Sequence, residues 1–167
     1  MLKKFAAQEV ATEIKPRVLE FGAGLSSLLL SESAHVISYE TDEEHAELIR
    51  SKAFGLHNNL EIRMWDGVNP PDDLLPEDKF DMVFVDGPKS VKNGGVGRDA
   101  AIKIASVVSD HVLIHDAGRD AETQSQRRHL RGVFGLTRKS GTHLTRINSW
   151  VRRPKPVTLE DLENPKQ

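Results

Sequence analysis

The chain has 167 residues, of which 38% are hydrophobic and 29% are charged, and its net charge is -2 at pH 7 with no cysteine. This balance is typical of one folded domain, and it excludes disulfide scaffolds, cysteine zinc sites, thiol nucleophiles and a generally basic nucleic-acid-binding surface. No apolar run in the sequence reaches the length of a signal peptide or a membrane span, so we expect a soluble cytoplasmic protein with no membrane partner.

Short apolar runs rich in Val, Ile, Leu and Phe recur along the chain and alternate with amphipathic segments. Because helices between parallel strands cover both faces of a sheet, this alternation predicts an α/β fold with a doubly wound, mostly parallel sheet. Five predicted strands precede the C-terminal region, at residues 17–21, 36–39, 60–65, 80–85 and 111–115.

The segments between these strands carry the signals of helices. Thr41 is the predicted N-cap of the second helix, acidic residues occupy its first turn, and Gly55 would end it. Apolar residues near the helical period predict the third helix, and three prolines predict a loop before the fourth strand. The predicted helices are residues 25–31, 42–54, 98–109 and 120–133.

The C-terminal region contains two strand-like segments, 135–139 and 142–151, separated by Ser140 and Gly141. A Ser-Gly pair between such segments is a hairpin signal, so the pattern predicts an antiparallel hairpin and a sheet of about seven strands. The residues that follow contain prolines and acids. We therefore assign residues 1–153 to one domain and residues 154–167 to a loose tail.

The turn after the first predicted strand has the sequence EFGAGLSS at residues 20–27. Glycines at a strand end that opens a helix let the backbone approach a ligand, and the helix N-terminus near Leu25 offers unpaired N–H groups. Glu40 follows twenty residues after Glu20, at the end of the second strand, where a carboxylate can accept hydrogen bonds from both hydroxyls of a ribose. These features predict an adenosyl ligand.

Two details distinguish S-adenosylmethionine from NAD as that ligand. The third glycine of a dinucleotide-binding fingerprint would fall at position 27, which is Ser27. Glu20 places a negative charge before the turn, which disfavours a pyrophosphate but favours a ligand that carries an ammonium and a sulfonium. The charge at the turn therefore favours the methyl donor.

The sequence VLEFGAG at residues 18–24 resembles the first motif of class I methyltransferases. Tyr39-Glu40 is similar to the ribose-binding acid of that family, WDG at 65–67 to its adenine-contacting turn, and FDMVFVDGP at 80–88 to its fourth-strand motif. The resemblance implies a Rossmann-like fold, in which a C-terminal antiparallel hairpin is typical, and methyl transfer from S-adenosylmethionine. The implied donor-binding residues are Glu20, Gly22, Gly24, Ser26, Ser27, Glu40, Trp65, Asp66 and Asp86.

A narrower resemblance concerns the acceptor. Residues 85–88 (VDGP), 97–101 (GRDAA) and 112–122 (VLIHDAGRDAE) resemble segments of plant glucuronoxylan 4-O-methyltransferases and their polysaccharide-related relatives, which methylate a sugar hydroxyl. The resemblance implies O-methylation of a saccharide or another small polar acceptor. No nucleic-acid partner is expected, and the formation of a homodimer stays open.

Methyl transfer requires alignment of the acceptor with the methyl group and removal of one acceptor proton. Asp86, His115 and Asp116 are the candidate bases, because the C-terminal ends of adjacent parallel strands meet in one crevice. A histidine ionises near neutral pH, whereas a carboxylate needs burial or a neighbouring group to become a useful base. Lys89 and Arg98 bracket a glycine-containing loop, so we expect them to bind an anion on the acceptor.

Each of these assignments has a structural alternative. Glu40 and Asp66 would otherwise be solvated acids or helix caps, Asp86 a turn-forming residue, and His115 with Asp116 a structural pair. The histidines show no metal-ligand spacing, so no metal site is predicted. A divalent ion held by Asp86, Asp116 and substrate oxygens stays open as an alternative.

Two rival functions also remain at this stage. An NAD-dependent oxidoreductase would use the same glycine turn, and a non-catalytic subunit would bind the adenosyl ligand without using the acceptor residues. The late basic cluster is interpreted as a solvated helix face rather than as a nucleic-acid site, and it consists of Arg127, Arg128 and Arg131.

Overall fold

The computed structural model describes residues 15–154 except residue 76, residues 90–93 and residues 142–145. Within these residues the strands are β1 (Arg17–Phe21), β2 (His35–Glu40), β3 (Leu60–Met64), β4 (Met82–Val85), β5 (His111–Ile114), β6 (Phe134–Ser140) and β7 (Ile147–Arg152). The helices are α1 (Leu25–Ser31), α2 (Glu43–Ala53), α3 (Asp99–Val108) and α4 (Asp120–His129). None of these helices is long and apolar enough to cross a bilayer.

The strands form one seven-stranded sheet in the order β3-β2-β1-β4-β5-β7-β6. The first five strands are parallel to their neighbours, whereas β7 lies antiparallel between β5 and β6. The predicted doubly wound parallel sheet and the predicted antiparallel hairpin are both confirmed. The winding of the chain reverses between β1 and β4, and open α/β sheets bind ligands in the crevice at such a reversal.

The core supports the strand ends that border this crevice. Leu19 and Val83 are fully buried side chains of the adjacent strands β1 and β4. The apolar residues of these strands pack beneath the helices. Phe21, the last residue of β1, packs against Tyr39 and Trp65 with ring centroids 5.9 and 5.0 Å away. This aromatic group fixes the end of β1 against the end of β2.

Several helix boundaries differ from the prediction, and the structure shows the reason for two of them. Asp42, not Thr41, is the N-cap of α2, because its backbone is extended and its carboxylate accepts a hydrogen bond from the His45 N–H at 3.2 Å. Helix α4 ends at His129 rather than at residue 133. The buried Leu130 ends this helix and accepts hydrogen bonds from the N–H groups of residues 133 and 134, which turn the chain into β6.

The described part of the hairpin's second strand also differs from the predicted segment. Strand β7 begins at Ile147, whereas the predicted segment began at residue 142, and residues 142–145 lie outside the described residues. Most of the predicted loose tail lies outside them as well, because the described part of the chain ends at Pro154.

A buried glutamine joins α4 to the hairpin. Gln126 Oε1 accepts hydrogen bonds from Asn148 Nδ2 at 2.6 Å and Trp150 Nε1 at 3.0 Å. Gln126 Nε2 donates to the carbonyl oxygens of Ala117 at 3.0 Å and Glu122 at 2.9 Å. A buried amide with every hydrogen-bonding position satisfied holds one arrangement of its neighbours, so this residue fixes the turn between β5 and α4 against β7.

Candidate active site

Two glycines bring the turn after β1 and the loop after β4 into backbone contact. Gly22 has φ +95°, and a Cβ added there would lie 2.5 Å from the backbone nitrogen of Gly87. A residue with a side chain therefore fits neither the conformation nor the space at position 22. Both the Asp86 and the Gly87 N–H groups donate to Phe21 O, at 2.9 and 2.6 Å. The contact places Asp86 beside the glycine turn.

A cavity of about 540 Å³ opens at the C-terminal ends of β1, β2, β4 and β5. Gly24 borders it with an extended backbone, and a Cβ added there would meet only Ser26 Oγ, at 3.9 Å. The backbone is thus open to a ligand at this point. The predicted site residues that line the cavity are Gly22, Gly24, Ser26, Glu40, Asp86, Lys89, Arg98, His115 and Asp116.

Glu40 is held at the edge of the cavity by backbone donors. Its Oε2 accepts from the Ala23 N–H at 3.1 Å, and its Oε1 accepts from the N–H groups of Thr41 at 2.6 Å and Asp42 at 3.0 Å. Within the described residues, no lysine, arginine or histidine lies within ion-pair distance of this carboxylate. Thr41 Oγ1 also donates to Oε1, at 3.3 Å, whereas Oε2 accepts one hydrogen bond, so a ligand hydroxyl can still bind to Oε2.

Glu20 lies beneath the turn rather than in the cavity, and Ser27 lies there with it. The Glu20 carboxylate is fully buried and accepts hydrogen bonds from Ser26 Oγ at 2.6 Å, Ser38 Oγ at 2.7 Å and Ser27 Oγ. Ser27 Oγ in turn accepts from the Gly24 N–H at 2.8 Å. The prediction that Glu20 and Ser27 contact the ligand is therefore corrected: both hold the shape of the turn from below.

Trp65 and Asp66 do not border the cavity either. The Trp65 ring is buried against Phe21, and its Nε1 donates to Asn69 O. Asp66 is exposed and its Oδ1 accepts from the N–H groups of Val68 and Asn69 at 2.8 and 2.9 Å, contacts that lower the pKa of its carboxyl. The predicted contact with adenine stays a prediction, and the contacts of Asp66 agree with the alternative of a solvated acid at a strand end.

The part of the cavity at the ends of β4 and β5 contains a histidine between two carboxylates. His115 Nδ1 lies 2.9 Å from Asp86 Oδ1 and 3.5 Å from Asp116 Oδ2, but neither oxygen lies along its N–H direction, so this buried nitrogen has no hydrogen-bond partner. Asp116 has φ +52°, a left-handed conformation that is uncommon outside glycine. Strained residues are concentrated at functional sites, and this one follows His115 directly.

Arg98 does not extend freely into the cavity as predicted. It is 6% exposed, and its guanidinium donates to the carbonyl oxygens of His115 at 2.6 Å, Pro88 at 3.3 Å and Asp86. The same group lies 3.3 Å from Asp86 Oδ1 and 3.6 Å from Asp116 Oδ2. Its donors are therefore used within the protein, and its role is to join the loop after β4 to the end of β5 rather than to bind an acceptor anion.

Other cavity residues were missed by sequence analysis. His45 Nε2 donates to Ala23 O at 2.8 Å, and Asp42 accepts from Lys89 Nζ at 3.1 Å, so the N-terminal part of α2 borders the cavity. Arg119 contacts Asp116 Oδ2 at 2.7 Å. Of the missed cavity residues, those in the DGP sequence at 86–88 could have been found from the sequence, because that sequence is part of the fourth-strand motif.

The side chains of Asp86, His115 and Asp116 place ligand atoms within 4.8 Å of one another, as a metal site would require. Arg98 lies against both carboxylates, and Arg119 lies against one of them. Two guanidinium groups already neutralise the carboxylate charge that a hard divalent cation needs. The donor set therefore fits the buried Arg98 and the partly exposed Arg119 better than a metal ion.

No protein-family model matches the sequence, and no curated protein matches it. Solved structures match its fold. A methyltransferase from Pyrococcus furiosus aligns with a TM-score of 0.62 and 18% identity over 83% of this chain and 75% of that one. The N-terminal domain of EvdMO1, solved in the presence of SAH and D-fucose, aligns with a TM-score of 0.55 and 16% identity over 84% of this chain and 76% of that one.

A protein from Pyrococcus horikoshii, described as a proposed RNA methyltransferase, aligns with a TM-score of 0.57 and 20% identity over 83% of this chain and 74% of that one. Identities this low establish the fold alone. The chain therefore has the α/β fold of class I methyltransferases, and the resemblance found in the sequence is confirmed at that level.

Replacement of Arg98 by methionine is expected to lower the free energy of unfolding by about 3 kcal/mol, because it leaves the Asp86 carboxylate and three carbonyl oxygens without their donor. The control is Arg119→Met, which removes a more exposed partner of Asp116 and should cost less than about 1 kcal/mol. Urea unfolding without ligand measures both. Equal losses in the two variants would contradict a structural role specific to Arg98.

Burial raises the pKa of Glu20 above its ordinary value of 4.5, the serine hydrogen bonds oppose this and the charge of Asp86 adds to it. The folded state therefore holds this proton more tightly than the unfolded state does. The stability contributed by the group is complete below the unfolded pKa and is lost as pH rises through the folded pKa.

Relative to a Glu20→Gln variant, the wild type should thus lose stability as the pH rises above the ordinary carboxyl pKa of 4.5. Urea unfolding at a series of pH values measures this difference. The exposed Glu44→Gln substitution is the control and should give no such trend. A difference between wild type and Glu20→Gln that stays constant over this range would contradict the prediction.

Proposed function

We propose that the protein is an S-adenosylmethionine-dependent methyltransferase that methylates a hydroxyl group of a sugar or another small polar acceptor. One observation carries this proposal. A single cavity has an open glycine backbone and the carboxylate of Glu40 on one side, and the group of Asp86, His115 and Asp116 on the other. Its volume of about 540 Å³ is within the range of small-molecule sites.

The residues on the donor side of the cavity have the chemistry that an adenosyl ligand needs. Glu40 Oε2 accepts one hydrogen bond and can accept another from a ribose hydroxyl, and no cation among the described residues lies within ion-pair distance of the carboxylate. The open backbone at Gly24 allows a ligand chain to lie against it. S-adenosylmethionine would supply an electrophilic methyl group at this place. Its positive charge suits a wall whose lysine and arginines already pair with aspartates.

The acceptor side has the groups needed to take one proton. We assign His115 as the base that accepts the proton of the acceptor hydroxyl, because its ring is partly exposed in the cavity. Asp86 lies 2.9 Å from Nδ1 and stabilises the imidazolium that results. Arg98 holds the carbonyl oxygens of both residues and so fixes their separation. Positioning of this kind supplies much of the rate increase in a displacement reaction.

The sugar hydroxyl is the more specific part of the proposal. It is supported by the narrower resemblance of the residues from 85 to 122 and by the fold neighbour that was solved in the presence of D-fucose. The sheet order also distinguishes the chain from nicotinamide dehydrogenases, whose strand order 3-2-1-4-5-6 has no antiparallel strand inserted after the fifth.

Titration calorimetry with S-adenosylhomocysteine and NADH tests the donor. S-adenosylhomocysteine should bind and NADH should not, and Glu40→Gln should weaken the binding about tenfold or more by removing a charged acceptor. Glu44→Gln on the exposed side of α2 is the charge-matched control and should bind like the wild type. NADH binding without S-adenosylhomocysteine binding would reverse the assignment.

The role of His115 is tested by measuring methyl transfer to a panel of sugar and small-acid acceptors. His115→Asn should lower kcat by about 100-fold or more, while S-adenosylhomocysteine affinity changes little, because general bases contribute about 10²–10⁴-fold. His111→Asn is the control, since His111 lies at the opposite end of β5. A His115→Asn enzyme with wild-type kcat, or donor binding without turnover on any acceptor, would contradict the proposal.

A further inference from the structure

A second cavity lies beside the candidate active site, between α4 and the β6-β7 hairpin. It has a volume of about 420 Å³. Ala117 lines it, and the preceding residue, Asp116, lines the first cavity. The turn between β5 and α4 therefore borders both cavities. Cationic side chains from four places along the chain line the second cavity, and they are Arg127, Arg131, Lys139, Arg146 and Arg153.

The charge of this cavity is unbalanced. No aspartate or glutamate is among its lining residues, and none of its five cations forms an ion pair with a described residue. Elsewhere in the described chain, every arginine except Arg138 has a carboxylate within 4.0 Å. Unpaired arginines are thus concentrated in one place.

Helix geometry explains only part of this concentration. Cations in the last turn of α4 interact favourably with the helix dipole, and this accounts for Arg127. Lys139 comes from β6, and Arg146 and Arg153 flank β7, so no shared helix end gathers them. Like charges that converge without counter-charge raise one another's electrostatic energy, and a bound anion would lower it.

The cations indicate the kind of anion. Four of the five are arginines, whose planar guanidinium forms paired hydrogen bonds with phosphate oxygens. A phosphoryl group with more than one negative charge matches this number of cations better than a single carboxylate. Bases of single-stranded nucleic acid stack on exposed aromatic rings, but Trp150, the one aromatic among the lining residues, is 9% exposed.

We propose that this cavity binds a multiply charged phosphoryl group carried by the methyl acceptor, whose hydroxyl would then lie near His115. The assignment to the acceptor rests on the proposed function, because the shared turn at Asp116 and Ala117 is what connects the two cavities. The acceptor is thereby a phosphorylated sugar or a similar phosphorylated polar molecule.

Titration calorimetry on the full chain tests the anion site without methyl transfer, with inorganic pyrophosphate, glucose 6-phosphate and UDP-glucose as probes and unmodified glucose as the comparison. The double substitution Arg127→Gln with Arg131→Gln should weaken binding of the charged probes about 30-fold or more, because charged hydrogen bonds are lost. Arg128→Gln with Arg138→Gln removes the same charge outside the cavity and should weaken binding less than about threefold.

Equal losses in the two double variants would show general electrostatic attraction and would overturn the proposal. Binding of pyrophosphate but of neither phosphate ester would assign the site to free phosphate and would also overturn it. Tighter binding of citrate would replace phosphate by carboxylate, and tighter binding of a decauridylate RNA would replace the small acceptor by RNA. S-adenosylhomocysteine binding, measured in parallel, shows whether each variant is folded and whether the donor assignment fails separately.

The chain's own acidic sequence is a rival occupant, since Glu160, Asp161 and Glu163 follow Arg153 closely in sequence. Neutralisation of all three, as Glu160→Gln, Asp161→Asn and Glu163→Gln, tests this rival. If pyrophosphate binds only to that variant, the tail competes for the cavity and the proposal for the acceptor is overturned. Unchanged affinity in the variant supports the proposal.

Discussion

The candidate site depends on one buried guanidinium group. Arg98 lies where β4 and β5 end, and its donors satisfy carbonyl oxygens on both sides of that point. Parallel strands leave their terminal carbonyl oxygens unpaired, and buried unpaired carbonyls are costly. A single planar donor with five N–H groups satisfies several of them together, which fixes the distance between the backbones of Asp86 and His115. The geometry of the candidate site is thus set by a residue that takes no part in the proposed proton transfer.

The donor side is built in a similar way, with one layer that borders the ligand and another beneath it. Glu20 and its three serine partners lie under the turn, and their hydrogen bonds reach the Gly24 N–H through Ser27. The ligand side of the turn is left as bare backbone. Burial of a carboxyl that is not needed for direct contact is reasonable here, because hydroxyl donors compensate it and the turn cannot relax into the cavity.

How much of this could be predicted from the sequence depends on the range of the interactions involved. The strands and the hairpin follow from apolar periodicity, and β1 and α1 have their predicted bounds because Gly22 and Gly24 mark the turn locally. Motif matching places Glu40 and Asp86 correctly on the cavity wall. It cannot tell whether a motif residue such as Glu20 faces the ligand or supports the turn, since that depends on Ser38 from another strand.

The error over Arg98 has the same origin. A cation next to a glycine-containing loop predicts anion binding only if its donors are free, and these donors are used by carbonyl oxygens from residues up to 17 positions away in sequence. Among the described residues, the arginines without a carboxylate partner come instead from α4, the turn after it and the hairpin region. From the sequence alone, Arg127 cannot be distinguished from a residue on a solvated helix face. Only the folded chain brings Lys139, Arg146 and Arg153 close to it. The two cavities thereby differ in charge: one pairs each of its cations with an acid, and the other leaves its cations for a ligand. A methyl acceptor bound across the turn at Asp116 would be oriented by that difference, with its anionic group directed away from the carboxylates and its hydroxyl directed toward them.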